Sequence, residues 1–316
     1  MPNAYTDTST SSLGTSLVQT AYDRYVEFAL RAMPLIRDVA DKRPVQQAMP
    51  GSSVVFQLYT DLSAVTGTLT ETVDPDSVAL GNTSTVSVTL NEYGNAAIAT
   101  RKLELFSLSD VDPAIADIIA FNMADSIDNF AQTVLRQGSN VIYSGGGSTT
   151  TGVTGGTASQ ITSANIRRAI AKLRANKAVP RVGDLYWVGI HPEVSHDLRA
   201  ETGAGGWREA HVYNESGAGN LWPGSIGVYE GAMFVESPRM YNATDGGSSA
   251  RVFRTILAGK QALAEAVAEE PHVVIGPVVD KLMRHRPLGW YGVLGFARYR
   301  EEALYRVETS SSIDFV

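Results

Sequence analysis

Residues 109–138 read SDVDPAIADIIAFNMADSIDNFAQTVLRQG. Val111, Ile115, Ile118, Ile119, Met123, Ile127, Phe130 and Val134 recur at steps of three and four, the spacing of one face of a long helix. Asp112 is placed to cap the start, with Pro113 at the first helical position, where its missing N–H costs nothing. Gly138 supplies the stop. From Pro113 to Gln137 such a helix would run about 37 Å. The opposite face carries Asp110, Asp117, Asp125, Asp128 and Gln132, so the sequence predicts a surface spine with one apolar side.

Upstream, residues 51–100 have a different texture. Val54, Phe56 and Leu58 alternate with Val55, Gln57 and Tyr59, and Val86, Val88 and Leu90 alternate with Thr85, Ser87 and Thr89. Turn-forming residues separate the two runs, among them Thr66-Gly67-Thr68, Val73-Asp74-Pro75-Asp76 and Gly81-Asn82. The pattern predicts a long two-stranded hairpin with an irregular tip. Such a ribbon is marginal alone in water and needs a surface to lie on. Residues 44–100 hold Asp61, Glu71, Asp74, Asp76 and Glu92 and no Lys or Arg, whereas residues 281–300 are basic through Lys281, Arg284, Arg286, Arg298 and Arg300. An acidic segment and a separate basic one in the same chain can meet between copies.

Before the hairpin, residues 1–15 read as a polar arm. Leu17, Ala21, Tyr25, Phe28 and Ala32 predict an amphipathic helix running to Pro34. After the spine, residues 144–160 form a Gly/Ser/Thr-rich connector. A helix capped by Thr162 or Ser163 follows, with Ile166, Ile170 and Leu173 on one face and Arg167, Arg168, Lys172, Arg174 and Lys177 elsewhere. Asp184 to Ile190 reads as a strand, and His191-Pro192 opens a helix over Glu193 to Arg199. A Gly-rich loop bearing Trp207 and Trp222 precedes a hairpin from Ile226 to Val235, turning at Glu230-Gly231. Strands are expected at Val252 to Leu257 and His272 to Ile275, with a short helical piece at Gln261 to Ala268 between them. Two β-like runs, Trp290 to Tyr299 and Ala303 to Val307, end the chain and are free to return to the spine. The order predicts an α+β body with a second domain inserted between its halves.

The composition is that of a folded protein, 44% hydrophobic and 19% charged, and 316 residues suffice for one large or two ordinary domains. A net charge of −7 argues against a dedicated nucleic-acid binder. The absence of cysteine removes disulfides and thiolate chemistry. Neither a signal peptide nor a membrane span is legible, which predicts synthesis in a cytoplasm.

No catalytic grouping emerges. His191 and His196 flank Glu193, but they stand five apart, about 140° around a helix, where HExxH pairs its histidines at four. The connector lacks the Lys of a phosphate loop. Gly224-Ser225-Ile226-Gly227 has the wrong spacing for a nucleophile elbow, and the Gly203 and Gly217 clusters do not complete GxGxxG. His285 sits between Arg284 and Arg286. The reading is of a non-enzyme with no cofactor and no metal. A metal-dependent hydrolase built on His191, His196 and Glu193 is the enzyme-class alternative.

Several stretches carry a family resemblance. They are Val188-Gly189-Ile190-His191-Pro192-Glu193 running on to Asp197-Leu198-Arg199, and Gly224-Ser225-Ile226-Gly227-Val228-Tyr229-Glu230-Gly231 with Phe234-Val235-Glu236-Ser237-Pro238. To these are added Gly289-Trp290-Tyr291-Gly292-Val293-Leu294-Gly295-Phe296 and Ala303-Leu304-Tyr305-Arg306-Val307-Glu308. With the order of elements, they resemble the major capsid protein of tailed double-stranded DNA bacteriophages, of the Hong Kong 97-type fold.

The resemblance implies an N-terminal arm at 1–50, an extended loop at 51–100 and a peripheral domain with the spine helix at 101–144. It places an axial domain at 145–250, with the rest of it and returning peripheral strands at 251–316. It implies hexamers and pentamers closing an icosahedral shell around packaged double-stranded DNA, without sequence-specific binding, in the virion. Portal, scaffolding and decoration proteins are the implied partners. An encapsulin-like compartment enclosing cargo protein is the alternative with the same fold.

Two sets of site residues follow as expectations. Asp61, Glu71, Asp74 and Asp76 would meet Lys281, Arg284 and Arg286 of a neighbour. Asp117, Asp125 and Asp128 would face the lumen and repel DNA phosphates. Some relatives cross-link through a Lys of the extended loop; with none in residues 44–100, that route is closed here.

Overall fold

In a computed structural model of the chain, the residues described are 31–44, 52–59, 61–69, 71–72, 74, 77–79, 84–106, 111–202, 207, 225–277, 280–282 and 284–313. The amphipathic helix expected before Pro34 lies almost wholly outside them, as do Asp76, Asp110, Trp222 and most of the Gly-rich loop. In chain order the strands are β1 (Ala40–Pro44), β2 (Ser53–Leu58), β3 (Ser84–Thr89) and β4 (Asn91–Thr100). A short helix α1 (Arg101–Phe106) and the spine α2 (Val111–Leu135) follow. Next come β5 (Val141–Tyr143), α3 (Ser163–Ala175), β6 (Tyr186–Ile190), α4 (Pro192–Ala200), β7 (Ser225–Tyr229), β8 (Ala232–Glu236) and β9 (Asn242–Ala243). The last four are β10 (Val252–Ala258), β11 (Leu263–Ile275), β12 (His285–Arg298) and β13 (Leu304–Thr309).

The spine has 25 residues and begins at Val111, before the expected cap at Asp112. It lies along a four-stranded sheet of order β1-β11-β12-β4. Tyr93 stacks on Phe130 at 4.2 Å, and Asn122 Oδ1 accepts from the Trp290 indole N–H at 3.0 Å and from Asn95 at 3.2 Å. The C-terminal half of the spine is covered on a second side as well, by Leu35, Ile36 and Val39 and by the underside of a larger sheet. For that reason the expected faces do not hold: Asp128 and Gln132 are buried, while Ile118 is exposed.

That larger sheet has seven strands, ordered β5-β13-β10-β6-β8-β7, with β9 beside β10. Tyr186, Val188 and Ile190 face α3 and α4, whereas Trp187 faces the spine with Met233 and Met240. Both faces are therefore covered, and β6 is apolar throughout and buried at every position. Thr162 caps α3 by accepting the Asn165 N–H at 3.3 Å. The β7–β8 hairpin turns at Glu230-Gly231 with φ of 53° and 83°, the two positive values a two-residue hairpin turn requires.

Three elements depart from the sequence expectation. Residues 91–100 are not part of the hairpin but form β4, paired with β12 from Thr100↔His285 to Asn91↔Leu294. The helical piece expected at Gln261 to Ala268 is strand from Leu263 onward. Its Ala- and Glu-rich composition favours helix, but Ala264 and Ala266 pack under the hairpin and Glu265 is buried against Arg37, so tertiary contacts override propensity. The last strand, β13, joins the seven-stranded sheet between β5 and β10 rather than returning to the spine.

Candidate interaction surfaces

β2 and β3 pair antiparallel from Ser53↔Thr89 to Leu58↔Ser84, as the alternation predicts. The base of this hairpin rests on the four-stranded sheet: Phe56 and Val88 are buried with Ala264, Ala266 and Tyr299. The Phe56 and Tyr299 rings meet edge-on at 5.7 Å. Gly295 is what lets β3 come so close, because a Cβ there would collide with the Thr89 carbonyl oxygen. Beyond the base, the tip leaves the body. Leu62, Val65, Leu69 and Val78 are 53–87% exposed, interleaved with the exposed acids Asp61, Glu71 and Asp74.

The basic stretch lies at the far end of the same sheet. Lys281 is exposed. Arg284 Nε donates to Asp280 at 2.7 Å and its guanidinium holds that half-buried carboxyl below its ordinary range. His285 stands 3.9 Å from the same carboxylate. Arg286 borders a groove of about 510 Å³ whose walls are apolar, formed by Ala99, Ile115, Ile275 and Leu288. Within the chain, the described acids of the tip and this stretch are not brought together.

The three spine acids divide between two arginines. Asp117 is exposed and pairs with Arg31 at 2.8 Å. Asp125 is bound by Arg239 Nη1. Asp128, 1% exposed, takes Arg239 Nε at 3.0 Å. It also accepts the backbone N–H groups of Ile36 (2.6 Å) and Arg37 (3.0 Å). Burial alone would lower the guanidinium pKa of Arg239, but the two carboxylates raise it. Asp128 therefore cannot line a lumen. It is a structural anion, neutralised by Arg239, that ties residues 36–37 to the spine. Asp125 is largely neutralised by the same side chain.

His191 is the N-cap of α4, its Nδ1 accepting the Glu193 N–H at 3.3 Å. Burial, and then the nearby Arg251, lower its pKa to about 4. Glu193 is held by Arg251 at 3.2 Å, and His196 points to Asp197 at 3.4 Å. The three candidate ligands thus have three different structural partners, and among the described residues no cluster of His, Asp and Glu is gathered for a metal. No described helix is long and apolar enough to cross a membrane.

The sequence model of one family, described as phage capsid protein, matches residues 8–311. This chain belongs to that family. No curated protein sequence matches it. Among solved structures, the capsid of Ralstonia phage GP4 superposes with a TM-score of 0.74 at 15% identity, covering 94% of this chain and 96% of that one. The cyanophage Pam1 capsid gives 0.72 at 16% identity, covering 96% and 99%. The head of Helicobacter pylori bacteriophage KHP40 gives 0.72 at 12%, covering 98% and 100%. At such identities the likeness speaks for the fold, which is the Hong Kong 97-type.

The chain is accordingly a structural capsid subunit of the virion, and the encapsulin-like compartment is not favoured. In this capsid protein the sequence reading missed Arg239, which neutralises Asp125 and Asp128 from more than a hundred residues away. It missed Glu308 too, fully buried between Arg254 (3.1 Å) and Arg306 (2.9 Å) on one face of the seven-stranded sheet. The periodicity of one segment gives no signal for such partners. The alternating Arg306-Val307-Glu308 was the only hint.

Proposed function

We propose that copies of this subunit form hexamers and pentamers, and that these close an icosahedral shell around double-stranded DNA. The carrying observation is the described part of the tip: beyond a ribbon anchored at its base by Phe56 and Val88, Leu62, Val65, Leu69 and Val78 present large apolar side chains to water. Exposed apolar surface of this kind is a contact awaiting a partner. A closed shell needs heterologous contacts whose rotation closes, and a limb reaching over the next subunit supplies one. In this reading Asp61, Glu71, Asp74 and Asp76 settle near Lys281 and Arg286 of the neighbour, where opposite charge sets the register. Arg284, already held by Asp280, serves the local turn more than the neighbour. Synthesis in the host cytoplasm, with portal and scaffolding proteins acting alongside, belongs to the same reading.

Negative-stain microscopy with light scattering on the purified chain tests it. Closed particles of uniform diameter are expected. A compact monomer under every assembly condition would overturn it.

A further inference from the structure

α3 ends in an unusual way. Asn176 caps it and Lys177 follows with φ of 56°. The Lys177 N–H donates to Arg174 O and the Ala178 N–H to Leu173 O, each at 3.0 Å. This is the hydrogen-bond pattern of a Schellman end, where the left-handed position ordinarily holds glycine. Across from it the β10–β11 turn places Gln261 in the same backbone region, φ 64°. That turn is fixed by the Gln261 N–H on Asp41 Oδ2 at 2.6 Å and the Lys260 N–H on Val179 O at 2.8 Å. The Arg300 N–H closes the arrangement on Gln261 O at 3.0 Å. Between these segments lies a concavity of about 230 Å³, bordered by Lys177, Lys260, Arg300, Asn176 and Glu302.

Elsewhere in the protein cations are matched: Arg37, Arg181, Arg239, Arg251 and Arg254 each hold a carboxylate. Lys177, Lys260 and Arg300 form no ion pair among the described residues, and Glu302 is the one carboxylate bordering the concavity. The same holds for Arg167, Arg168 and Lys172, exposed along α3 toward that end. In a chain of net charge −7, a line of unmatched cations leading into a cationic hollow is a local departure from the whole.

We propose that this hollow seats a backbone phosphate of duplex DNA, and that the exposed cations of α3 carry phosphates next to it. From Arg167 to Lys177 these cations extend over about 15 Å, roughly four phosphate spacings along one strand. A strip of charge, with Arg168 and Lys172 one turn apart on the same helix face, fits a linear polyanion better than the irregular acidic tip of another subunit. The contact reads no bases, since the groups offered to the phosphates are the ammonium and guanidinium ends of Lys177, Lys260 and Arg300. The inference rests on the reading that the shell encloses DNA.

The test is fluorescence anisotropy of a labelled 20-base-pair duplex with the full-length unassembled subunit, over a salt series. K177G/K260Q/R300Q should bind at least ten-fold more weakly at about 50 mM salt, with a slope of log affinity against log salt shallower by about three. E302Q, which removes the opposing charge, should bind about two- to three-fold more tightly; it keeps the test decisive if the triple variant does not fold. Unchanged binding in both variants overturns the proposal. So does displacement of the duplex by inorganic phosphate, at matched ionic strength, as complete as displacement by excess duplex: the hollow is then a site for free anions only. If the triple variant binds DNA normally but no longer forms particles, the hollow receives a carboxylate of another subunit, which also overturns it. Particles that form without any affinity of the subunit for duplex sink this inference and leave the shell reading intact.

Discussion

Arg239 reaches Asp128 at 3.0 Å across a sequence separation of 111 residues, and this contact fastens the seven-stranded sheet to the spine. Gln132 on the next helical turn donates to the Arg239 backbone carbonyl, so side chain and main chain of the same residue are both gripped. A buried pair of this sort adds little net stability over an apolar substitute, yet removing one member strands the other.

Asp128→Ala should therefore cost about 3–5 kcal/mol, since it leaves Arg239 buried and also frees the N–H groups of Ile36 and Arg37. Asp125→Asn should cost about 1 kcal/mol or less, because Asp125 is a third exposed. Urea unfolding monitored by circular dichroism gives both values, and equal costs would contradict the structural role assigned to Asp128.

His191 gives the subunit a pH-dependent helix end. Its folded pKa, about 4, lies below the ordinary 6.5. The unfolded chain then binds more protons between those values, and stability rises with pH across that window. The stability it confers is complete above about pH 6.5 and is lost as pH falls toward 4, up to about 3 kcal/mol. Asn is a good helix cap without a titrating ring, so His191→Asn should lose less stability than the wild type on going from pH 7.5 to 4.5. Parallel denaturation midpoints at the two pH values check it, and identical slopes would refute it.

The hairpin is positioned by close approach rather than by long pairing. Gly295→Ala puts a methyl where the Thr89 carbonyl sits, and Phe56→Ala empties the contact with Tyr299. Phe56→Ala should cost about 3–5 kcal/mol. Both variants should misdirect the tip and lower the yield of closed particles. Particle yield equal to wild type would show that the base does not aim the tip.

Charge reversal at Arg286 should reduce assembly while the far-ultraviolet spectrum remains that of a folded chain. Restoring particles by a compensating Asp74→Lys in the same chain would establish the pairing; full assembly of Arg286→Glu alone would refute it.

Mature particles should run as single chains on a denaturing gel so far as cross-links from the extended loop are concerned, because no Lys occurs in residues 44–100. A ladder traced to that loop would contradict this.

Much of the fold was legible because its strongest elements are locally periodic. The spine shows helical steps over seven turns, β2 and β3 alternate cleanly, and Thr162, His191 and Glu230-Gly231 announce their cap or turn chemistry. What was not legible depends on distant partners. Glu265 reads as a solvated helical residue until Arg37 covers it, and Asp128 reads as surface until Arg239 and residues 36–37 bury it. β4, read as the rest of the hairpin, is mostly exposed and alternates weakly, so its place is set by β12 rather than by its own sequence.

Leu62, Val65, Leu69 and Val78 have a consequence for timing. A freshly made subunit carries its adhesive uncovered from the moment it folds. Each interval between folding and closure is one in which a misaligned encounter competes with the right one. If the proposed seat on a neighbouring subunit is theirs, fidelity of the container depends on how quickly these side chains reach it, and slow, dilute assembly should yield more regular particles than a sudden rise in concentration.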